Sequence, residues 1–206
     1  KEFDSEQYLF MATRHGLVKK TSLDQYDTSR RDGIIAISLN EEDQLVDVKL
    51  TSGEEQIVLA TKRGQAIRFP EEQVRPMGRN TRGVRGISLA ANDEVVGMET
   101  VRPDAYLLTV TANGFGKRTL LTEYRAQTRG GKGVINIKVN KRNGHVVAVQ
   151  VVNGKDEIMM VSAEGIAIRF SAEDISKIGR ATQGVTLMRL GQGDYVVAVA
   201  RVLTDE

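Results

Sequence analysis

Residues Tyr8–Lys19 read YLFMATRHGLVK, an apolar run, a small polar turn closed by a glycine, and a second strand-like run that ends in cations. The same pattern returns at Ile57–Ile67 (IVLATKRGQAI), Tyr106–Lys117 (YLLTVTANGFGK) and Ile158–Ile168 (IMMVSAEGIAI), with turn glycines Gly16, Gly64, Gly114 and Gly165. A cation stands four residues after each: Lys20, Arg68, Arg118 and Arg169. Further along each unit a second glycine recurs (Gly33, Gly83, Gly133, Gly184), opening the runs IIAISL, VRGISL, VINIKV and VTLMRL. A last apolar run closes each unit: LVDVKL, VVGMET, VVAVQV, VVAVAR. Landmarks kept in phase at steps of about 50 residues define four copies of one supersecondary unit.

Each copy holds four short runs rich in Val, Ile, Leu and Thr, separated by turn signals such as Asn113-Gly114 and Glu164-Gly165. Alternation, as in Ile135–Val139, is the period of a half-buried strand, and helix-like stretches are confined to 70–74 and 171–175. An all-β, propeller-like array of four four-stranded blades is expected, about 8–50, 57–100, 106–151 and 158–202 within a single domain 1–206, each blade burying its faces on its neighbours. The copies alternate in kind: KKTSLDQY and KRTLLTEY follow the glycine in the first and third, IRFPEEQV and IRFSAEDI in the second and fourth.

Net charge is only +2, from 29 Lys and Arg against 27 Asp and Glu, so partners must be read from where the charge sits. Cations gather at the glycine landmarks. Arg14, Lys19 and Lys20 share one stretch without an acid; Arg30 and Arg31 precede Gly33; Arg75, Arg79, Arg82 and Arg85 fill VRPMGRNTRGVRG; Arg125, Arg129 and Lys132 fill RAQTRGGKG. The fourth copy offers Arg169, Lys177 and Arg180, and Lys117 and Arg118 lie in GKRT. Acids concentrate elsewhere, at Glu41–Asp43, Glu54-Glu55, Glu71-Glu72, Asp93-Glu94 and Asp156-Glu157, and the cluster Glu41–Asp43 is read as a solvated turn rather than a cation site. Equivalent loops of an array lie at equivalent places, so a recurring basic loop becomes a basic stripe able to hold phosphates.

Several chemistries are set aside. There is no cysteine, hence no disulfide or thiolate site, and no apolar run approaches membrane-span length. Ala126 stands where a phosphate-binding nucleotide loop ending at Lys132 needs its first glycine. His15 and His145 are far apart with no marked nucleophile, no metal ligand set is evident, and the five tyrosines read as packing residues. Aromatics make up 5% of the chain and none interleaves with the basic loops, so duplex backbone is a better target than stacked single-strand bases.

GVRGI at 83–87, QTRGGKG at 127–133 and GKRT at 116–119 resemble the C-terminal domain of bacterial DNA gyrase A, over essentially the whole chain. The resemblance implies a β-pinwheel, a propeller-like ring whose blades exchange strands, which binds duplex DNA on its perimeter, largely without regard to sequence, and bends or wraps it to support negative supercoiling. It implies a non-catalytic domain with no cofactor of its own; ATP and Mg belong to the rest of an A2B2 holoenzyme made with gyrase B, in the cytoplasm at the nucleoid. The DNA contacts it suggests are Lys19, Lys20, Arg30, Arg31, Arg68, Arg79, Arg82, Arg85, Lys117, Arg118, Arg125, Arg129, Lys132, Arg169 and Arg180. Gln127, Thr128, Arg129, Gly130, Gly131, Lys132 and Gly133 form a degenerate copy of the family's Gln-Arg-Arg-Gly-Gly-Lys-Gly box, with Thr128 in place of the first Arg and the copy in the third unit. The family has about six blades, so a piece lacking its first blades, and a weaker DNA binder for that reason, is expected. The related topoisomerase IV domain and a propeller-like protein scaffold are the alternatives.

Overall fold

The structure, a computed structural model, describes residues 6–28 and 32–202. Each unit opens with an antiparallel hairpin: β1 (Tyr8–Thr13) with β2 (Leu17–Ser22), β4 (Gln56–Thr61) with β5 (Gln65–Pro70), β8 (Tyr106–Thr111) with β9 (Phe115–Leu120), and β12 (Glu157–Ser162) with β13 (Ala167–Ser171). The turns close alike, with the landmark glycine N–H donating to the carbonyl of Thr13, Thr61, Thr111 or Ser162 at 3.0 Å. Asp43, Asp93 and Asp194 accept the N–H of His15, Arg63 and Glu164 at 2.9, 2.9 and 3.1 Å and brace three of these turns. Asp43, expected in a solvated turn, is therefore buried, because its carboxylate replaces water at a turn amide.

The closing runs form inner strands β3 (Leu45–Thr51), β7 (Val95–Thr100), β11 (Val146–Val152) and β15 (Val196–Val202), paired with β1, β4, β8 and β12. They pack side by side in series around a polar cleft of about 290 Å³ that Lys49, Glu99, Gln150 and Arg201 line. Lys49 Nζ sits 3.3 Å from the Glu99 carboxylate there.

The runs after the second glycine depart from the expected pattern. They give only the two-residue strands β6 (Val84–Arg85), β10 (Val134–Ile135) and β14 (Val185–Thr186), and each joins the hairpin of the preceding unit, on β2, β5 and β9 respectively. Sheets and sequence repeats are thus offset by one strand. The fourth sheet, β13-β12-β15, has three strands among the described residues, and 34–39 carries none. The glycine before each exchanged strand permits the crossing: Gly133 has φ +75°, and a Cβ on it would stand 2.4 Å from the Ala66 carbonyl oxygen. The two helix-like stretches are 3₁₀ turns, Glu71–Gln73 and Ala172–Asp174, with equivalents at Leu23–Tyr26 and Leu121–Glu123.

Three cores fill the three joints. Phe10, Ala12 and Val18 meet Leu59, Ile67 and Phe69 between the first two blades. Val58, Ala60 and Ala66 meet Leu107, Tyr124 and Ile137 at the second joint, and Leu108 and Val110 meet Ile158 and Met160 at the third. Strand β4 is therefore apolar at consecutive positions, Ile57 and Leu59 facing one neighbour and Val58 and Ala60 the other. Burying each large side chain contributes about 1.5–3 kcal/mol.

The first joint also buries a carboxyl. Glu71 accepts the N–H groups of Gly53 and Glu55 at 2.9 Å and the Thr51 hydroxyl at 2.8 Å. Burial, followed by its contact with Glu55, raises its pKa above the usual carboxylate range. The folded chain then holds a proton that the unfolded chain has released, so this contribution to stability is complete at acid pH and is lost as pH rises toward neutrality. Glu71→Gln should flatten the fall in melting temperature between about pH 5 and 8; a variant that tracks the parent over that range would remove Glu71 as the titrating group.

Candidate nucleic-acid interface

The repeated cation four residues after each turn glycine is a tie between blades. Arg118, 4% exposed, donates from Nε to the Ile175 carbonyl and from Nη2 to the Glu173 carbonyl, both at 2.8 Å, and lies over the Tyr106 ring. Arg68 donates to Leu121 O at 3.1 Å, and Lys20, also buried, reaches Glu71 O at 3.3 Å. All three reach the 3₁₀ turn of the next unit, where carbonyls would otherwise be buried without donors. In the fourth unit the equivalent Arg169 is exposed and pairs in its own sheet, Nε to the Glu157 carboxylate at 2.7 Å.

Lys19 and Lys117 are fully buried. Lys19 Nζ donates to Ala36 O at 2.5 Å and to Arg79 O; Lys117 Nζ donates to Gly179 O at 2.8 Å, Arg180 O at 2.9 Å and the Thr119 hydroxyl at 2.9 Å. Lys19, Lys20, Lys117 and Arg118, expected as phosphate contacts, are corrected to structural donors, and the guanidinium of half-buried Arg68 is committed in the same way. Their charge satisfies carbonyls at the joints, and burial keeps it from solvent.

A second recurring set clasps the run after the second glycine of the preceding unit. The guanidinium groups of Arg79, Arg129 and Arg180, each four residues before a glycine of the second set, donate to the carbonyls of Ile35, Arg85 and Ile135 in the preceding unit. Most of the degenerate box performs this task. Gln127 N–H donates to Arg68 O at 2.8 Å, Arg129 N–H to the Gln73 side chain at 2.7 Å and Gly130 N–H to Gly86 O at 2.8 Å, while Gly131 O accepts Ser88 N–H at 2.9 Å. Thr128 and Lys132 stay exposed.

What remains for a ligand is a strip on the outer edge of the first two sheets. Arg82, Arg85, Arg125 and Lys132 are exposed, with no side-chain hydrogen bond or ion pair to the protein among the described residues. The box loop lies directly on the Arg85 loop: Arg129 holds Arg85 O, and a Cβ on Gly130 would stand 3.9 Å from Arg85 Cδ. Residues 125–145 contain six Lys and Arg and no acid. Lys138, Lys141 and Arg142, exposed further along the same acid-free stretch, were not among the expected contacts, nor was exposed Arg189, the repeat equivalent of Lys138. Counting five residues on from Gly133 and Gly184 finds the latter two. Arg142 stacks over Phe115 with 5.1 Å to the ring centroid, and Arg75 is exposed two residues after Gln73, the side-chain partner of the Arg129 amide. Arg30 and Arg31 lie outside the described residues. Among the described residues no group of three metal-ligating side chains occurs and no helix is long and apolar enough to cross a membrane.

A strand-exchanged array of propeller-like blades with a cationic outer strip defines a β-pinwheel repeat domain. The family model described as "DNA gyrase C-terminal domain, beta-propeller" matches four times, at 7–52, 55–102, 105–153 and 156–202, and the chain belongs to that family. It is 44% identical to the DNA gyrase A protein of Staphylococcus aureus (strain MRSA252) over 208 aligned residues, covering all of this chain and 24% of that protein, so it spans about a quarter of its curated relatives. A solved DNA gyrase A C-terminal domain superposes with a TM-score of 0.89 at 29% identity, over 98% of this chain and 68% of the other. The C-terminal domain of DNA topoisomerase IV superposes with a TM-score of 0.93, also at 29% identity, over 98% and 64%.

Proposed function

We propose that this chain is a DNA-binding domain of a gyrase A protein, holding duplex DNA against its outer edge and bending it along the blades in support of negative supercoiling. The observation that carries the reading is the acid-free strip of exposed cations, Arg82, Arg85, Arg125 and Lys132, on two loops in direct contact. Phosphates spaced along a duplex suit such a strip, and counterion release supplies the affinity. Among the described residues the helices are single 3₁₀ turns, too short to fill a groove, and the exposed cations sit in loops suited to phosphates, so binding is largely indifferent to sequence. In this reading the domain is accessory, needs no cofactor, and works with the rest of gyrase A and with gyrase B in an A2B2 enzyme at the cytoplasmic nucleoid; ATP, Mg and strand cleavage belong to those other parts. The superposition on the topoisomerase IV domain favours one alternative, the same duplex binding in that enzyme; the identity to gyrase A over the full chain weighs toward gyrase.

Replacing Arg82, Arg85, Arg125 and Lys132 together by alanine should weaken duplex binding at low salt by at least ~100-fold, alike for unrelated sequences, with the melting temperature unchanged. Fluorescence anisotropy on two unrelated duplexes reads this. Unchanged affinity would place the interface elsewhere, and a loss confined to one sequence would mean base contacts.

A further inference from the structure

The alternation of two kinds of repeat acquires a structural meaning. In the first and third units a lysine, a threonine and a tyrosine meet under the exchanged strand: Lys19, Thr21 and Tyr26, and Lys117, Thr119 and Tyr124. In the second and fourth those positions hold Ile67, Phe69 and Val74, and Ile168, Phe170 and Ile175. The polar version is a connected network in the third unit. Lys117 Nζ donates to Thr119 Oγ1, which donates to Ile178 O at 2.7 Å; Tyr124 OH donates to Asn136 Oδ1 at 2.6 Å, and Asn136 Nδ2 to Thr109 Oγ1 at 3.0 Å. Its far end is the next blade's loop, at Gly179 O and Arg180 O. Lys19 reaches Arg79 O, the repeat equivalent of Arg180 O. In the second unit Ile67 holds the corresponding place beneath the box loop, its Cδ1 3.6 Å from where a Cβ on Gly131 would stand, and supplies no amine.

We propose that Lys19 and Lys117 are positioning residues for the DNA interface, each clasping the carbonyls beneath the next blade's perimeter loop and fixing how that loop presents its exposed cations. Three residues beyond Arg79 is Arg82, and two before Gly179 is Lys177, both exposed. An apolar side chain closes the joint as well, as Ile67 does, so a charged amine in a dry joint is not needed for packing; what it adds is a directional hold on loop carbonyls. Lys117 faces Glu123, Arg180 and Tyr124, and Lys19 faces Arg79 and Tyr26. Burial pushes the Lys117 amine down to about 7, with Glu123 opposing and Arg180 adding to the fall, and the Lys19 amine down to about 8 by burial and Arg79. A neutral amine has two hydrogens for the three oxygens around Lys117, so the hold slackens as pH rises through this range.

The inference rests on the DNA reading, and its test separates the two. Amide hydrogen exchange is measured on the full chain at residues 179–182, with 129–131, the loop over Ile67, as internal control, alongside end-to-end energy transfer in a bound, doubly labelled duplex. Lys117→Met should speed exchange at 179–182 by roughly tenfold or more, leave 129–131 unchanged, and relax the bend while DNA remains bound. A second variant, Lys117→Ile with Thr119→Phe, Tyr124→Ile and Asn136→Leu, installs the fourth unit's own set and keeps the joint packed. It should restore the melting temperature and leave the loop loose. Restored stability together with wild-type exchange and bend overturns the proposal. Should neither variant fold, the wild-type chain decides. The ratio of exchange at 179–182 to that at 129–131 should rise between pH 7 and 9, and a constant ratio overturns the clasp. A wild-type chain that binds no duplex removes the DNA reading and leaves the exchange comparison to judge the loop alone.

Discussion

Gly114→Ala should lower the melting temperature by about 10–15 °C, whereas Gly165→Ala, the same change at the same landmark one unit later, should cost only about 3–6 °C. Both glycines are left-handed, with φ +80° and +85°, so both variants carry the strain of alanine in that region, about 1–2 kcal/mol. They differ in what surrounds them. A Cβ on Gly114 would stand 2.2 Å from Met188 O, while nothing lies within 4 Å of one on Gly165. The Met188 N–H donates to Gly114 O at 3.0 Å, so the clash falls on the segment that carries β14 onto β9. Separating those strands brings the total for Gly114→Ala to about 3–5 kcal/mol, and a chain of this length loses about 2–4 °C per kcal/mol. Thermal unfolding followed by circular dichroism compares the pair. Equal losses would mean that backbone strain alone sets the cost and that strand exchange does not require the glycine.

The second large effect is at the blade ties. Arg118→Ala removes two charge-assisted hydrogen bonds and leaves the carbonyls of Glu173 and Ile175 at a joint without their donor. At about 1.5–3 kcal/mol for each such bond, the loss is about 3–6 kcal/mol. Arg169→Ala at the equivalent position of the fourth unit removes an exposed ion pair with Glu157 and should change stability by less than about 1 kcal/mol. Denaturant titration of both variants reads the contrast. Similar midpoints would show that the buried guanidinium does not hold the third joint.

These contrasts mark what the sequence made legible. Four in-phase copies and alternating apolar runs were sufficient for an array of β blades, because periodicity records burial directly. Strand exchange was not readable from spacing, since Val84-Arg85 looks the same whether it pairs with its own hairpin or with the one before; only the resemblance suggested it. The site was partly legible for a related reason. A cation repeated in register signals a repeated task, and both phosphate binding and joint closure produce that signal. Burial separates them: Arg118 and Lys117 face the next blade's carbonyls, while Arg82 and Lys132 face solvent. Asp43 shows the converse, a residue in an acidic run that turns inward because a hairpin amide needs an acceptor. Lys138 and Arg189 carry no cluster signal in the sequence because each stands alone within an apolar run, and only the repeat register pairs them.

The central claim, that a nearly neutral chain holds duplex backbone on one cationic edge, is tested most directly by the salt dependence of binding. With roughly six phosphates engaged, the logarithm of affinity should fall with the logarithm of salt concentration at a slope near −5. A slope near zero, or no binding to a long duplex at low salt, would contradict it.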